Sequence, residues 1–148
     1  MSALHESRVT LRFFSEELDP AELTAVLGMQ PTDCYKKGQT RVLSTGKELI
    51  YKRGIWRLEV PDRKPADLEA QIAEVLGYLP QDLEVWRHLA CVHEIDLFCG
   101  VFMDEGNKGF SLSPPSLALL SERSIKIDFD VYAPSRKDDL AKPSASEA

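Results

Sequence analysis

Residues 13–27 read FFSEELDPAELTAVL, and residues 110–120 read FSLSPPSLALL. In each stretch a short apolar segment that favours a strand leads into an N-cap residue, Asp19 or Ser113, and then into a proline. Proline suits the first helical position, because the N–H group that it lacks would have no helical partner there. The repetition predicts two related strand–helix units, each with a helix that begins at its proline.

Alternating apolar and polar residues predict the strands, because successive side chains of a strand point to opposite faces of the sheet. The pattern places strands over residues 8–14, 54–60, 91–103 and 125–132. Apolar residues at helical spacing predict one helix that opens at Pro65 and another that is capped by Asp82. This order favours an α+β fold, a two-layer sandwich in which helices cover one face of a mostly antiparallel sheet.

The chain of 148 residues is long enough for one domain with its own core, and we predict that this domain spans residues 1–133. Residues 134–148 are polar, contain two prolines and show no periodicity. Such a composition cannot bury enough apolar surface to fold, so we predict a flexible C-terminal tail.

Composition also indicates the cellular compartment of the protein and the classes of partner that it is not expected to bind. No apolar run approaches the ~20 residues that span a bilayer, and the N-terminal segment lacks the apolar core of a secretory signal. Three cysteines, an odd number, fit a reducing compartment better than a disulfide framework. A net charge of −6 argues against general binding to nucleic acid. We therefore expect a cytoplasmic protein with neither a membrane nor a nucleic-acid partner.

Positive charge is concentrated in residues 36–53, which contain six basic residues and one acidic residue. In an acidic protein this segment is either a solvated hairpin or a site for a phosphate-like or nucleotide-like anion. The second interpretation gives a set of candidate ligand-binding residues, with the indole as a neighbouring wall: Thr32, Lys36, Lys37, Arg41 and Trp56.

Three carboxylates, Asp96, Asp128 and Asp130, are predicted on the sheet face opposite the core. If their strands are neighbours, the three would converge with a basic side chain, namely Arg8, Arg12 or Arg57. Such a cluster could bind a cation or supply the acid and base of a hydrolase or lyase. The alternative is cross-strand ion pairs on a wet face, worth only ~0.2–1 kcal/mol each.

The sequence lacks the motifs of zinc sites and of phosphate-binding loops. The histidines and cysteines match no standard zinc spacing, and no phosphate-binding glycine loop is present. We therefore predict no catalytic residue, no metal site and no cofactor. Cys34 is the one cysteine for which neighbouring lysines predict a lowered pKa.

Four aromatic residues, Phe14, Phe98, Phe102 and Tyr132, are predicted on the less buried face of the sheet. A contiguous exposed aromatic patch marks an interface. The favoured hypothesis is therefore a non-enzymatic protein-interaction or self-associating module, with a partner protein or a second copy as ligand. The anion-binding domain and the aspartate-dependent hydrolase or lyase remain open alternatives.

Several short motifs occur in a fixed order along the chain. They are an Asp-Pro-x-Glu-Leu-x-x-x-Leu-Gly helix at 19–28, Pro31-Thr32, Lys37-Gly38, Gly54-Ile55-Trp56, the segment 110–114 and the terminal strand 127–132. In this order the chain resembles the bacterial domain of unknown function 4279 family over residues 7–132. The resemblance implies a small α+β domain of bacterial origin, and it implies no established activity.

Overall fold

The computed structural model describes residues 4–134. These residues contain seven strands: β1 Glu6–Ser15, β2 Asp33–Tyr35, β3 Thr40–Val42, β4 Glu48–Ile50, β5 Gly54–Glu59, β6 Glu94–Phe102 and β7 Lys126–Tyr132. They also contain four helices: α1 Pro20–Leu27, α2 Leu68–Gly77, α3 Leu83–Val92 and α4 Pro114–Glu122. Apart from Pro134, the predicted tail 134–148 lies outside the described residues.

Five of the strands form one sheet in the order β2-β5-β1-β6-β7, and β3 and β4 form a separate hairpin. All neighbours in the large sheet are antiparallel except β6 and β7, which are parallel. A parallel pair requires a long crossover connection, and α4 lies in the one that joins these two strands. The predicted α+β class with a mostly antiparallel sheet is confirmed.

The core lies between one face of the sheet and the helix layer. The Phe13 ring of β1 meets Trp56 of β5 edge-on at 5.5 Å and stacks on Trp86 of α3 at 6.0 Å. Both buried indoles have hydrogen-bond partners, since Trp56 Nε1 donates to Thr24 Oγ1 of α1 and Trp86 Nε1 donates to Pro80 O. The helices therefore cover the face that carries Phe13.

The two predicted helix starts are confirmed, although their caps differ. Asp19 caps α1 by accepting the N–H of Ala21 at 3.0 Å. At the start of α4 the Ser113 side chain makes no cap bond within its own helix. Its hydroxyl donates instead to Glu69 of α2, as does that of Ser116 at 2.6 Å. This second helix start is held by a contact between helices.

The predicted strand before α4 is wrong. Residues 110–112 form no strand, and the neighbour of β6 at this edge of the sheet is β7. Its Phe110 ring packs against Phe129 of β7 at 5.3 Å. Both predicted strand–helix units therefore have the predicted helix start, but only the first unit begins with a strand.

Two predicted boundaries also shift. The strand predicted over 91–103 begins at Glu94, because α3 continues through Val92 and the N–H of His93 still donates to Leu89 O. The helix predicted from Pro65 begins at Leu68, with Asp67 as its N-cap. Among residues 4–134, no helix is long and apolar enough to cross a membrane.

Candidate functional site

The face of the large sheet opposite the core is not covered by any helix of residues 4–134. We call this surface the open face and define it by side chains of four strands: Arg8, Thr10, Arg12, Phe14, Arg57, Glu59, Asp96, Phe98, Phe102, Asp128, Asp130 and Tyr132. These residues alternate along their strands with the core residues. Period-two alternation therefore builds this surface and the core from the same strands.

The centre of the open face is an ion pair between Arg12 of β1 and Asp96 of β6, which lie opposite each other in the antiparallel ladder. Arg12 donates to both carboxylate oxygens, from Nε at 2.8 Å and from Nη2 at 2.6 Å. The guanidinium also lies over Phe14 at 5.0 Å and over Phe98 at 4.6 Å. The Arg12 guanidinium binds the buried carboxylate through two nitrogens and also lies over two rings, so its orientation is fixed.

The structure brings together two of the three predicted aspartates. Asp128 Oδ2 lies 3.9 Å from Nη2 of Arg12, so Asp96 and Asp128 share one guanidinium. Asp130 is engaged separately, because the Tyr132 hydroxyl donates to it at 2.7 Å. Within residues 4–134, no group of three histidine, cysteine or carboxylate side chains is placed to hold a metal ion.

Burial raises the pKa of the Asp96 carboxyl above its ordinary value, and the neighbouring Asp128 adds to the increase. The hydrogen bonds from Arg12 act in the opposite direction because they favour the charged form. Paired carboxylates with a raised pKa are also found in acid–base catalysis. Here both oxygens of Asp96 are occupied by Arg12, so the arrangement is suited to holding the guanidinium.

A second aromatic stack lies beside this centre. Phe102 and Tyr132 stack with ring centroids 4.4 Å apart, and the Arg8 guanidinium lies 4.7 Å from the Phe102 ring. A groove of about 210 Å³ opens here, with Arg8 and Arg57 among its lining residues and Gly100 contributing to its wall. The sequence predicted the aromatic residues of this face but did not predict the groove.

The cations of the groove already have partners within the chain. Arg8 lies 3.1 Å from Glu6 and 3.2 Å from Asp62. Arg57 lies 3.3 Å from Asp33 and 3.1 Å from Glu59, while its buried Nε atom has no hydrogen-bond partner. The positive charge of the groove is therefore largely balanced within the domain.

The predicted anion site is not assembled. The Trp56 side chain is 0 % exposed and lies on the core side of the sheet, so its predicted role as a ligand wall is wrong. The Thr32 hydroxyl accepts the N–H of Glu59 at 2.9 Å. This hydrogen bond joins the segment before β2 to the end of β5, so the hydroxyl already has a structural partner.

The basic residues of the predicted anion site are also dispersed. Lys37 pairs with Glu16 at 2.5 Å, and the exposed Lys36 contributes its main-chain N–H to a turn. Arg41 belongs to the separate hairpin, where its Nη1 lies 3.4 Å from the Tyr51 hydroxyl. All residues of β3 and β4 are exposed, as the solvated-hairpin interpretation expects.

Cys34 has a higher pKa than an ordinary thiol, contrary to the predicted decrease. Burial raises the pKa of Cys34, and the charge of Asp33 adds to the increase. The lysines that follow it in sequence point to solvent, so their charge does not stabilise a thiolate.

Residues 5–134 match the family model described as Domain of unknown function (DUF4279). The chain belongs to this family. The predicted family is thereby confirmed over most of the chain. No curated protein and no solved structure gives a significant match to the sequence. The family description names no activity.

Proposed function

We propose that this DUF4279 domain is a non-enzymatic binding module whose open face docks on a partner protein. The observation that carries the proposal is the set of arginine–aromatic stacks on a sheet face that no helix of the described chain covers. Arginine and aromatic residues are enriched in protein interfaces and supply most of their binding hot spots.

The fixed conformations of these side chains support the proposal. Arg12 is held by Asp96 and two rings, and Arg8 is held against the Phe102–Tyr132 stack. Side chains that are ordered before binding lose less conformational entropy when a partner arrives. The open face therefore resembles a preorganised docking surface.

The charge balance favours a protein segment over a phosphate group. Each arginine of the open face has a carboxylate partner, so an anion would have to displace an existing ion pair. A protein partner with mixed charge can instead bind to the outer atoms of these pairs while its apolar groups cover the rings. The rings that remain half-buried are Phe14, Phe98, Phe102 and Tyr132.

The test compares two double variants of equal composition. Arg8→Ala with Tyr132→Ala removes one arginine and one tyrosine from the open face. Arg87→Ala with Tyr78→Ala removes the same residue types from the helix side, where both side chains are exposed. Each tagged protein is incubated with an extract of the cells that express it, and bound proteins are quantified by mass spectrometry.

The proposal requires a partner that the wild type and the helix-side variant retain and that the open-face variant loses at least about tenfold. Circular dichroism and thermal unfolding establish that both variants fold. A partner that the open-face variant retains fully would contradict the proposal. Loss confined to the helix-side variant would also contradict it and would move the interface to the helix layer.

A small anion in the groove between Arg8 and Arg57 is the second candidate function. The unpartnered Nε atom of Arg57 and the volume of about 210 Å³ favour it. A thermal-shift screen with phosphate, nucleotides and phosphosugars tests it, because a ligand that binds only the folded state raises the melting temperature. A shift that disappears in Arg57→Met would support an anion site, and no shift at saturation would exclude it.

We also propose a cytoplasmic location. Cys34, Cys91 and Cys99 are all free, and Cys91 is exposed. An exposed free thiol is compatible with a reducing compartment and is a liability in an oxidising one. The net charge of −6 further supports a partner that is not nucleic acid.

A further inference from the structure

Within the described residues 4–134, the outer edge of β7 is not paired with another strand. β7 is the last strand in the sheet order, and no strand of residues 4–134 pairs with its outer side. Because the N–H of Met103 donates to Tyr132 O at 3.0 Å, the main chain of Tyr132 faces β6. By alternation, the main-chain groups of Ile127, Phe129 and Val131 point away from the sheet. A free row of donors and acceptors is a template for another strand.

The side chains along this edge are apolar on the helix side and charged on the open face. Phe129 is 40 % exposed and Val131 is 53 % exposed. On the opposite side Lys126, Asp128 and Asp130 alternate with them. An edge with charges of both signs restricts the registers in which it can pair, because like charges opposite each other are unfavourable.

We propose that a second copy of this chain pairs antiparallel with the β7 edge, about a two-fold axis that passes at Asp128. In this register Lys126 lies opposite the partner's Asp130, and Ile127 lies opposite the partner's Phe129. Two-fold symmetry forms each of these contacts twice. The outward main-chain groups of Ile127 and Phe129 then exchange hydrogen bonds with those of the partner.

Among the two-fold registers that pair at least five residues of β7, charge complementarity selects this one. A dimer centred on Phe129 would place Asp128 opposite the partner's Asp130 at two symmetric positions and would leave Lys126 opposite a tyrosine. The register centred on Asp128 replaces these contacts with two lysine–aspartate pairs. It keeps a single like-charge contact, between Asp128 and its own copy, which lies near Arg12 and Lys126.

The dimer would join the sheets of both copies into one. A two-fold axis perpendicular to the sheet keeps both helix layers on one side and both open faces on the other. The inference uses the edge of the sheet and goes beyond the proposed function, so either can fail without the other.

Site-directed crosslinking tests the register. In a background with Cys34→Ser and Cys91→Ser, the remaining thiol of Cys99 is buried. Asp128→Cys would place two thiols opposite each other in a non-hydrogen-bonded pair, whose ~4.5 Å Cα separation permits a disulfide. Asp130→Cys is the matched control, since its copies lie offset along the strands. We expect a rapid disulfide-linked dimer for Asp128→Cys alone, and equal or faster crosslinking of Asp130→Cys would overturn the register.

Charge exchange tests the same contact without cysteines. Lys126→Asp and Asp130→Lys each turn two attractive pairs into repulsive ones, so each should weaken the dimer at least about tenfold in sedimentation equilibrium. The combined variant restores opposite charges and should recover most of the affinity. A wild type that is monomeric at every concentration tested would overturn the dimer, and a combined variant weaker than both single variants would overturn the pairing.

Discussion

Replacing Arg12 by methionine tests whether the central ion pair of the open face is structural. Methionine keeps an unbranched apolar stem between Phe14 and Phe98, and it removes the guanidinium. The substitution leaves Asp96, which is 4 % exposed, without its two hydrogen bonds at 2.8 Å and 2.6 Å. The stability of the variant therefore reports the cost of an unpaired carboxylate at this position.

The magnitude follows from the burial of the two partners. Removing one partner of a fully buried ion pair costs ~3–5 kcal/mol, because the remaining charge is left uncompensated. The Arg12 side chain is 25 % exposed, so water screens part of the interaction and the lower end of that range applies. We expect Arg12→Met to lose about 3 kcal/mol of unfolding free energy near neutral pH.

The loss should shrink in acid. In the folded protein burial already raises the pKa of Asp96 above its ordinary value of 3.8, and loss of Arg12 raises it further. A raised pKa in the folded state means that the folded state binds more protons, so stability falls as the pH rises through the raised pKa. The variant should therefore lie closer to the wild type at about pH 4 than at about pH 7.

The assay is guanidinium-induced unfolding of wild type and variant at both pH values. Arg53→Met is the matched control, because Arg53 also lies over Phe14 but pairs with the exposed Glu94. An exposed pair of this kind contributes ~0–1 kcal/mol. A loss in Arg12→Met as small as that of the control, or a loss that does not change with pH, would refute the reasoning.

Three further predictions concern the scaffold. Gly54→Ala should lose ~1–3 kcal/mol in the same unfolding assay, because its Cβ would lie 2.8 Å from neighbouring main-chain and side-chain atoms, whereas Gly77→Ala meets nothing within 4 Å and should lose nothing. Hydrogen bonds from two serines at the start of α4 lower the pKa of Glu69, so its stabilisation is present above 4.5 and is lost as the pH falls through the lowered pKa. Glu69→Gln should therefore melt at a lower temperature than the wild type at neutral pH, and this difference should shrink in acid. A difference in melting temperature that stays the same at all pH values would count against this. Burial raises the pKa of Cys99 to about 12, so a thiol reagent should label the exposed Cys91 in the folded protein and reach Cys99 only after unfolding, as mass spectrometry of the peptides would show.

The aspartate cluster shows how far periodicity predicts a site. Alternation along each strand correctly places Asp96, Asp128 and Asp130 on the face opposite the core, because that pattern depends only on local backbone geometry. Whether they meet depends on the pairing of β6 with β7 and on the reach of each side chain. The register brings Asp128 to Arg12 and Asp96, while the hydroxyl of Tyr132 holds Asp130.

The Trp56 prediction fails for a related reason. An aromatic residue beside a basic segment reads as a ligand wall only if both lie on the same side of the sheet. Alternation along β5 places Trp56 with Leu58 on the core face of the sheet, where Phe13 contacts its ring, so the ligand-wall prediction conflicts with the strand pattern itself.

The sequence alone determined the family, the α+β class and the starts of the helices at Pro20 and Pro114, because caps, prolines and side-chain periodicity act over a few residues. The tertiary structure alone decided the parallel β6–β7 pair, the hydrogen bonds from the two serines at the start of α4 to Glu69 and the groove beside Tyr132. Each of these joins segments that only long-range packing brings together, and the chemistry of the open face depends on them.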